Sequence, residues 1–264
     1  MGIEISLEGQ RALVTGASQG IGEGIAKILA RAGAAVALCA RRERELSDLA
    51  AKIESRGGRA VSVSADLTDR SAAERVVQSA VDALGGLDIL VNNAGVSERV
   101  RPHEETDEDI DMAIELKFRA GVRLSRICLP HLKERPGCIV NIAGHSGVEA
   151  ASKNAMGGIG NSSIISFTKS LSDSVAQWGV RVNVVSPGVI ITPRGDRNDR
   201  RMAEMEGITF EESRSRRIAA VPLGRGGSPD DVAHAVAFLA SDLAGHITGA
   251  NLLVDGGACR AAPY

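Results

Sequence analysis

The feature that most limits what this chain can become is a regular alternation. Seven short apolar runs, rich in valine and isoleucine, recur along its 264 residues: 12–16 (ALVTG), 34–40 (AAVALCA), 60–66 (AVSVSAD), 87–93 (LDILVNN), 137–143 (GCIVNIA), 180–188 (VRVNVVSPG) and 250–257 (ANLLVDGG). Continuous apolar runs of this length suit strands buried on both faces. Segments of helical period lie between them. Ile21, Ile25, Ile28 and Leu29 share one helix face after the first run, and Val76, Val77, Ala80, Val81 and Leu84 do so after the third. At 228–241, "SPDDVAHAVAFLAS" offers Ser228 as N-cap and Pro229 in the first turn, with an acid three residues after the cap. Strand, helix, strand, repeated throughout, predicts an α/β fold: a doubly wound parallel sheet of seven strands with helices on both faces. No linker, repeat or low-complexity segment divides the chain, so 1–264 is expected to form one domain. The longest stretch without a clear period is 192–220, charged and rich in arginine; it is expected to be an irregular lid over a substrate, with "TFEE" opening a short helix inside it.

Charge and composition narrow the function. A formal net charge of −2 gives no basic footprint for nucleic acid. No apolar run reaches the length of a membrane span, and the opening residues lack a secretory pattern. The four cysteines, Cys39, Cys128, Cys138 and Cys259, form no C-x-x-C pair and read as buried small hydrophobes in a reducing, cytoplasmic setting, with no metal site.

Two glycine-rich stretches raise a choice of phosphate loop. "TGASQGIG", 15–22, follows a strand and opens a helix, which is the context such a loop requires. Gly16 permits the tight turn, Gly20 lets backbone approach a pyrophosphate, and Gly22 lets the helix pack closely. The helix N-terminus then presents free N–H groups and a positive dipole end. An acid about 20 residues further on would bind a ribose 2′-hydroxyl. That place, near Ala40, holds Arg41 and Arg42 instead, which favours a 2′-phosphate and therefore NADP(H) over NAD(H). The second stretch, "AMGGIGN" at 155–161, does not begin directly after a strand and is not expected to bind phosphate.

Together with Asp66-Leu67, "NNAG" at 92–95, "VNVVSPGVIITP" at 182–193 and "ITGANLLVDGG" at 247–257, this loop resembles the short-chain dehydrogenase/reductase superfamily, 3-oxoacyl-ACP-reductase-like members in particular. The resemblance spans nearly the whole chain. It implies a Rossmann-type sheet, a small-molecule substrate and a homo-oligomer, dimer or tetramer. It implies that Gly16, Ser18, Gln19, Gly20, Ile21 and Gly22 hold the pyrophosphate end, and that Asp66 and Leu67 flank the adenine. Asn93, Ala94 and Gly95 would line the adenosine ribose, and Pro187, Gly188, Ile190 and Thr192 the nicotinamide end.

The family's catalytic serine, tyrosine and lysine are missing. Aligned on "NIAGHSG" and "SFTKSL", their places hold Gly144, Gly157 and Asn161; the only tyrosine is Tyr264, the last residue. Asn161 thus takes the lysine's place at the nicotinamide ribose. Aligned on "RICLP", the family's helix asparagine becomes Lys117. The resemblance implies that these two positions face each other, so the exchange returns one ammonium to the site from the other helix. Lys117 is therefore a candidate electrostatic replacement and proton carrier, against the alternative of a surface lysine with a packed stem. His145 and Ser146, after Gly144, are candidates to face the substrate, or are polar surface; Lys153 is a weaker candidate. Gly157, Gly158 and Gly160 each cost a helix about 1 kcal/mol, so the helix is expected to start later, near Ser162 or Ser163. Three functions stay open: an oxidoreductase with a non-standard proton donor, a nucleotide-binding protein without turnover, and an NADP-assisted lyase or isomerase.

Overall fold

A computed structural model describes residues 4–95, 102–149 and 155–261. Lys153 and Tyr264 lie outside the described residues. Seven strands form one parallel sheet in the order β3-β2-β1-β4-β5-β6-β7. They are β1 (Arg11–Thr15), β2 (Ala35–Ala40), β3 (Arg59–Ser64), β4 (Ile89–Asn92), β5 (Cys138–Ile142), β6 (Arg181–Pro187) and β7 (Asn251–Val254). Each expected apolar run became one of these strands. The helices are α1 (Gly20–Arg31), α2 (Glu43–Glu54), α3 (Ala72–Leu84), α4 (Asp107–Ala113), α5 (Ala120–Glu134), α6 (Ala155–Val175), α7 (Pro193–Glu206), α8 (Phe210–Ala219) and α9 (Pro229–Ala240).

Successive strand residues point to opposite faces, so each strand feeds two cores. Val14, Val36, Ile89 and Val140 pack with Ile25 and Leu29 of α1, Leu46 and Leu49 of α2, and Val232 and Val236 of α9. Leu13, Ala37, Leu90 and Ile139 pack on the other face with Val76 and Val77 of α3 and Leu124 and Leu132 of α5. Cys39, Cys128 and Cys138 are buried among these groups. Burial pushes the Cys39 thiol up to about 12 and, as the leading cause, the Cys138 thiol to about 11, so both stay protonated and unreactive.

Two expectations are corrected. The helix after β5 does not wait for Ser162 or Ser163: α6 already includes Gly157, Gly158 and Gly160. Those serine hydroxyls instead donate to carbonyls one turn back, Ser162 to Gly158 at 2.6 Å and Ser163 to Ile159 at 2.8 Å. Close packing of the glycine face, described below, outweighs the local propensity cost. The 192–220 stretch is mostly helical rather than irregular, with the expected helix at "TFEE" present and a second before it. It folds into α7 and α8, capped by the Thr192 and Thr209 hydroxyls, which accept from Gly195 and Glu212.

A buried polar ladder ties α5 and α6 to the sheet. The Asn92 amide donates to Asn141 Oδ1 at 2.8 Å and to Ser125 Oγ of α5 at 3.1 Å. Asn141 donates to Thr168 Oγ1 of α6 at 2.8 Å. Asn141→Ala strands buried partners on both sides; it should lower stability by about 2 kcal/mol or more in urea unfolding, and a loss below about 0.5 kcal/mol would show the ladder to be dispensable.

Candidate active site

The site is assembled at the carboxyl ends of the strands, where doubly wound sheets place their ligands. β1 ends at Thr15, and the loop to α1 turns on Gly16 (φ +65°) and Gly20 (φ +61°), both in the left-handed region that glycine tolerates. A Cβ on Gly22 would overlap the Gly16 carbonyl, so helix and loop meet backbone to backbone. Thr15 stitches the neighbouring loop in place: its hydroxyl accepts from the Asn93 and Ala94 N–H groups at 3.0 Å each. The Asn93 amide donates to Thr15 O at 2.9 Å.

These contacts frame a cleft of about 230 Å³. Gly16, Ser18, Gln19, Gly20, Ile21 and Gly22 form one wall, and Asn93, Ala94 and Gly95 another. Arg41, Arg42, Asp66 and Leu67 close the far end. Arg42 Nη2 donates to both Ser18 O (3.1 Å) and Ser18 Oγ (3.0 Å), while Arg41 Nη1 lies 3.9 Å from the Asp66 carboxylate. A glycine-rich cradle at a helix N-terminus, ending in two guanidinium groups, fits a dinucleotide.

A second cavity, of about 540 Å³, shares Ile21, Gly95, Thr192 and Arg194 with the cleft, so the two run together. It is lined by Lys117, His145, Ser146 and Asn161, and by Pro187, Gly188, Ile190 and Thr192 beyond β6. Every described candidate residue therefore lies on one continuous cleft. Sequence reasoning marked this region without naming Arg194, Asp199, Met202 and Arg217, which α7 and α8 add to the cavity wall. Arg217 grips Asp199 through Nε (2.7 Å) and Nη2 (2.6 Å) in a nearly buried fork.

Lys117 sits in a π-helical turn, Ile114–Arg119, between α4 and α5. Such turns are rare and recur at functional sites. Its Nζ donates to Ile142 O at 2.6 Å and Ala143 O at 3.4 Å, at the end of β5. Its stem runs through a notch made of glycines. A Cβ on Gly95 would lie 2.8 Å from Lys117 Cδ, and one on Gly160 would lie 3.1 Å from Cγ. In the second glycine-rich stretch it is Gly160 that leaves the helix bare where the lysine stem lies. Burial, and next the positive charge of Arg194, push the Lys117 ammonium down to about 7.

Asn161, one residue on, is buried and donates to Ser146 Oγ at 3.0 Å. A Cβ on Gly144 would lie 2.7 Å from its amide nitrogen, and one on Gly147 2.7 Å from its Cβ. Gly144 and Gly147 therefore leave the space that the Asn161 side chain occupies. No tyrosine lies among the described residues.

The fold and cleft define a nicotinamide-dinucleotide protein of the short-chain type. A family model described as enoyl-(acyl carrier protein) reductase matches residues 16–259, and the chain belongs to that family, within the short-chain dehydrogenase/reductase superfamily. The 3-oxoacyl-[acyl-carrier-protein] reductase FabG of Vibrio cholerae is 38% identical over 257 residues, 96% of this chain and 98% of the relative. Oxidoreductase UcpA of Salmonella typhimurium is 35% identical over 255 residues, 95% of each. Among solved structures, L-sorbose reductase from Gluconobacter frateurii, complexed with NADPH and L-sorbose, superposes with a TM-score of 0.92 at 30% identity, covering 98% of this chain and 100% of its own.

Because Lys117 has its pKa lowered on folding from 10.5 to about 7, the unfolded chain holds the extra proton between those values. The penalty for burying the charge is full below about pH 7 and is relieved as pH rises. Lys117→Met should therefore stabilise the protein by roughly a few kcal/mol at pH 6 in urea unfolding, with the gain shrinking towards pH 10. A gain independent of pH would place the ammonium in water.

Proposed function

We propose that the chain is an NADP(H)-dependent oxidoreductase acting on a carbonyl, hydroxyl or enoyl substrate, with Lys117 as its non-standard proton donor and acceptor. The observation that carries this reading is the position of Lys117: an ionisable group poised near neutrality, where the dinucleotide cleft opens into the substrate cavity. The Arg42–Ser18 pair supports NADP(H), since a guanidinium beside a hydroxyl suits a ribose 2′-phosphate. The NADPH complex of L-sorbose reductase supports the same choice.

Bound in this cleft, the nicotinamide would supply or accept the hydride. The chain's residues do the rest. The segment Pro187, Gly188, Ile190 and Thr192 walls one side of the cavity and orients what binds there. Ser146, braced by Asn161, holds the substrate oxygen. Lys117 in its ammonium form gives the proton to the developing alkoxide, directly or through one water. Arg194 eases that loss by repelling the cation, and the amine left behind keeps its bonds to the Ile142 and Ala143 carbonyls. A pKa near 7 keeps both forms available at neutral pH, so the residue serves either direction. The setting we propose is a cytoplasmic homo-oligomer. Exposed apolar side chains, Ile159 on one side and Leu223 and Leu252 near the sheet edge, support association, and four free cysteines suit a reducing compartment.

Incubation with NADPH and a panel of ketones, aldehydes, quinones and enoyl thioesters should give loss of nicotinamide absorbance with at least one acceptor. Lys117→Gln should lower kcat on that acceptor about 10²–10⁴-fold while NADPH still binds. Binding without oxidation across the whole panel would leave a nucleotide-holding protein. Arg42→Ala should raise the Kd for NADPH about 10- to 100-fold and leave NADH little changed; an equal loss for both would remove the phosphate role.

A further inference from the structure

Lys117 has a second capacity that proton transfer does not use. We propose that it is a nucleophile which condenses with small, unhindered aldehydes to form an imine, so that the cavity captures such carbonyls covalently. The inference rests on the placing of Lys117 in the reading above, but not on turnover.

The geometry carries it. A neutral amine has two N–H bonds and one lone pair. Here the two hydrogens are directed at Ile142 O and Ala143 O, at the end of β5, and the Cε bond runs back along the glycine notch. With Nζ held to two carbonyls, the lone pair is the remaining tetrahedral position, and Lys117 lines the cavity from which a carbonyl would approach it. A desolvated lysine beside another cation is the environment in which amines serve as nucleophiles near neutral pH. The cation is Arg194 of α7, and His145 is the titratable neighbour on the turn after β5. Asp199 and Arg217, also on the cavity wall, are committed to each other.

The step balances without an oxidant or reductant. The lone pair attacks the aldehyde carbon, a C–N bond forms and the oxygen takes a proton. The carbinolamine then loses water to leave the imine. An aldehyde captured in this way beside a hydride donor would be fixed as a secondary amine and block the cavity. Productive substrates of the site are therefore ketones and enoyl compounds, whose carbons are more crowded or less prone to condense.

The test uses the full chain without added nucleotide, propanal as the aldehyde and sodium cyanoborohydride as the trap. Peptide mass mapping then compares Lys117 with Lys27, Lys52, Lys133 and Lys169. At pH 7 Lys117 should be propylated at least about tenfold faster than any of these, and its rate should fall as the pH drops below 7. Lys117→Gln should lose the fast phase and keep the slow one. Labelling of Lys117 no faster than Lys27, Lys52, Lys133 and Lys169 would overturn the proposal. Because the labelling needs no hydride transfer, it succeeds or fails independently of NADPH oxidation.

Discussion

Withdrawing one ammonium from most of its water at the carboxyl end of β5 is the constraint around which the rest of the site is built. A buried charge is costly unless paired or hydrogen-bonded. Lys117 has no carboxylate partner among the described residues; it has two backbone carbonyls and a cationic neighbour. The result is an amine that exchanges its proton near pH 7 rather than a permanent ion. The surrounding residues fit that one side chain. Gly95 and Gly160 leave room for its stem, and the π turn sets it between α4 and α5. Asn161 occupies the opposite position and turns to Ser146.

The dinucleotide half and the reaction half of the cleft are held by different means. The first is backbone against backbone: glycines in left-handed turns, with Thr15 bridging two loops. The second depends on where α5 and α6 sit. That is set by the buried amide ladder Asn92–Asn141–Thr168 and its branch to Ser125.

Much of this was legible in the sequence because it depends on local pattern. The strands are continuous apolar runs, and a strand–glycine–helix junction has one physical use. The arginines after β2 were visible as the absence of an acid. Lys117 and Asn161 emerged only through the family resemblance, which marks the two positions as exchanged. What escaped depends on tertiary context. The three glycines argue against a helix when counted by propensity, yet α6 runs straight through them, with Gly160 closing on the Lys117 stem and Gly158 on the Ser146 carbonyl. "TFEE" marked the start of α8, but α7 carries charge on most positions and lacks a clean apolar stripe, so its helicity, and the place of Arg194, Asp199 and Arg217 in the cavity, left little periodic signal. The π turn has no sequence mark at all.

The account stands or falls on the protonation of a single side chain. Carbon-13 labelling of the lysines, with the signal assigned through Lys117→Gln, allows its Cε shift to be followed from pH 5 to pH 11 in the folded protein. A midpoint near 7 is the predicted result. A midpoint near the ordinary lysine value of about 10.4 would mean that Lys117 is solvated, and would contradict its role in this cleft.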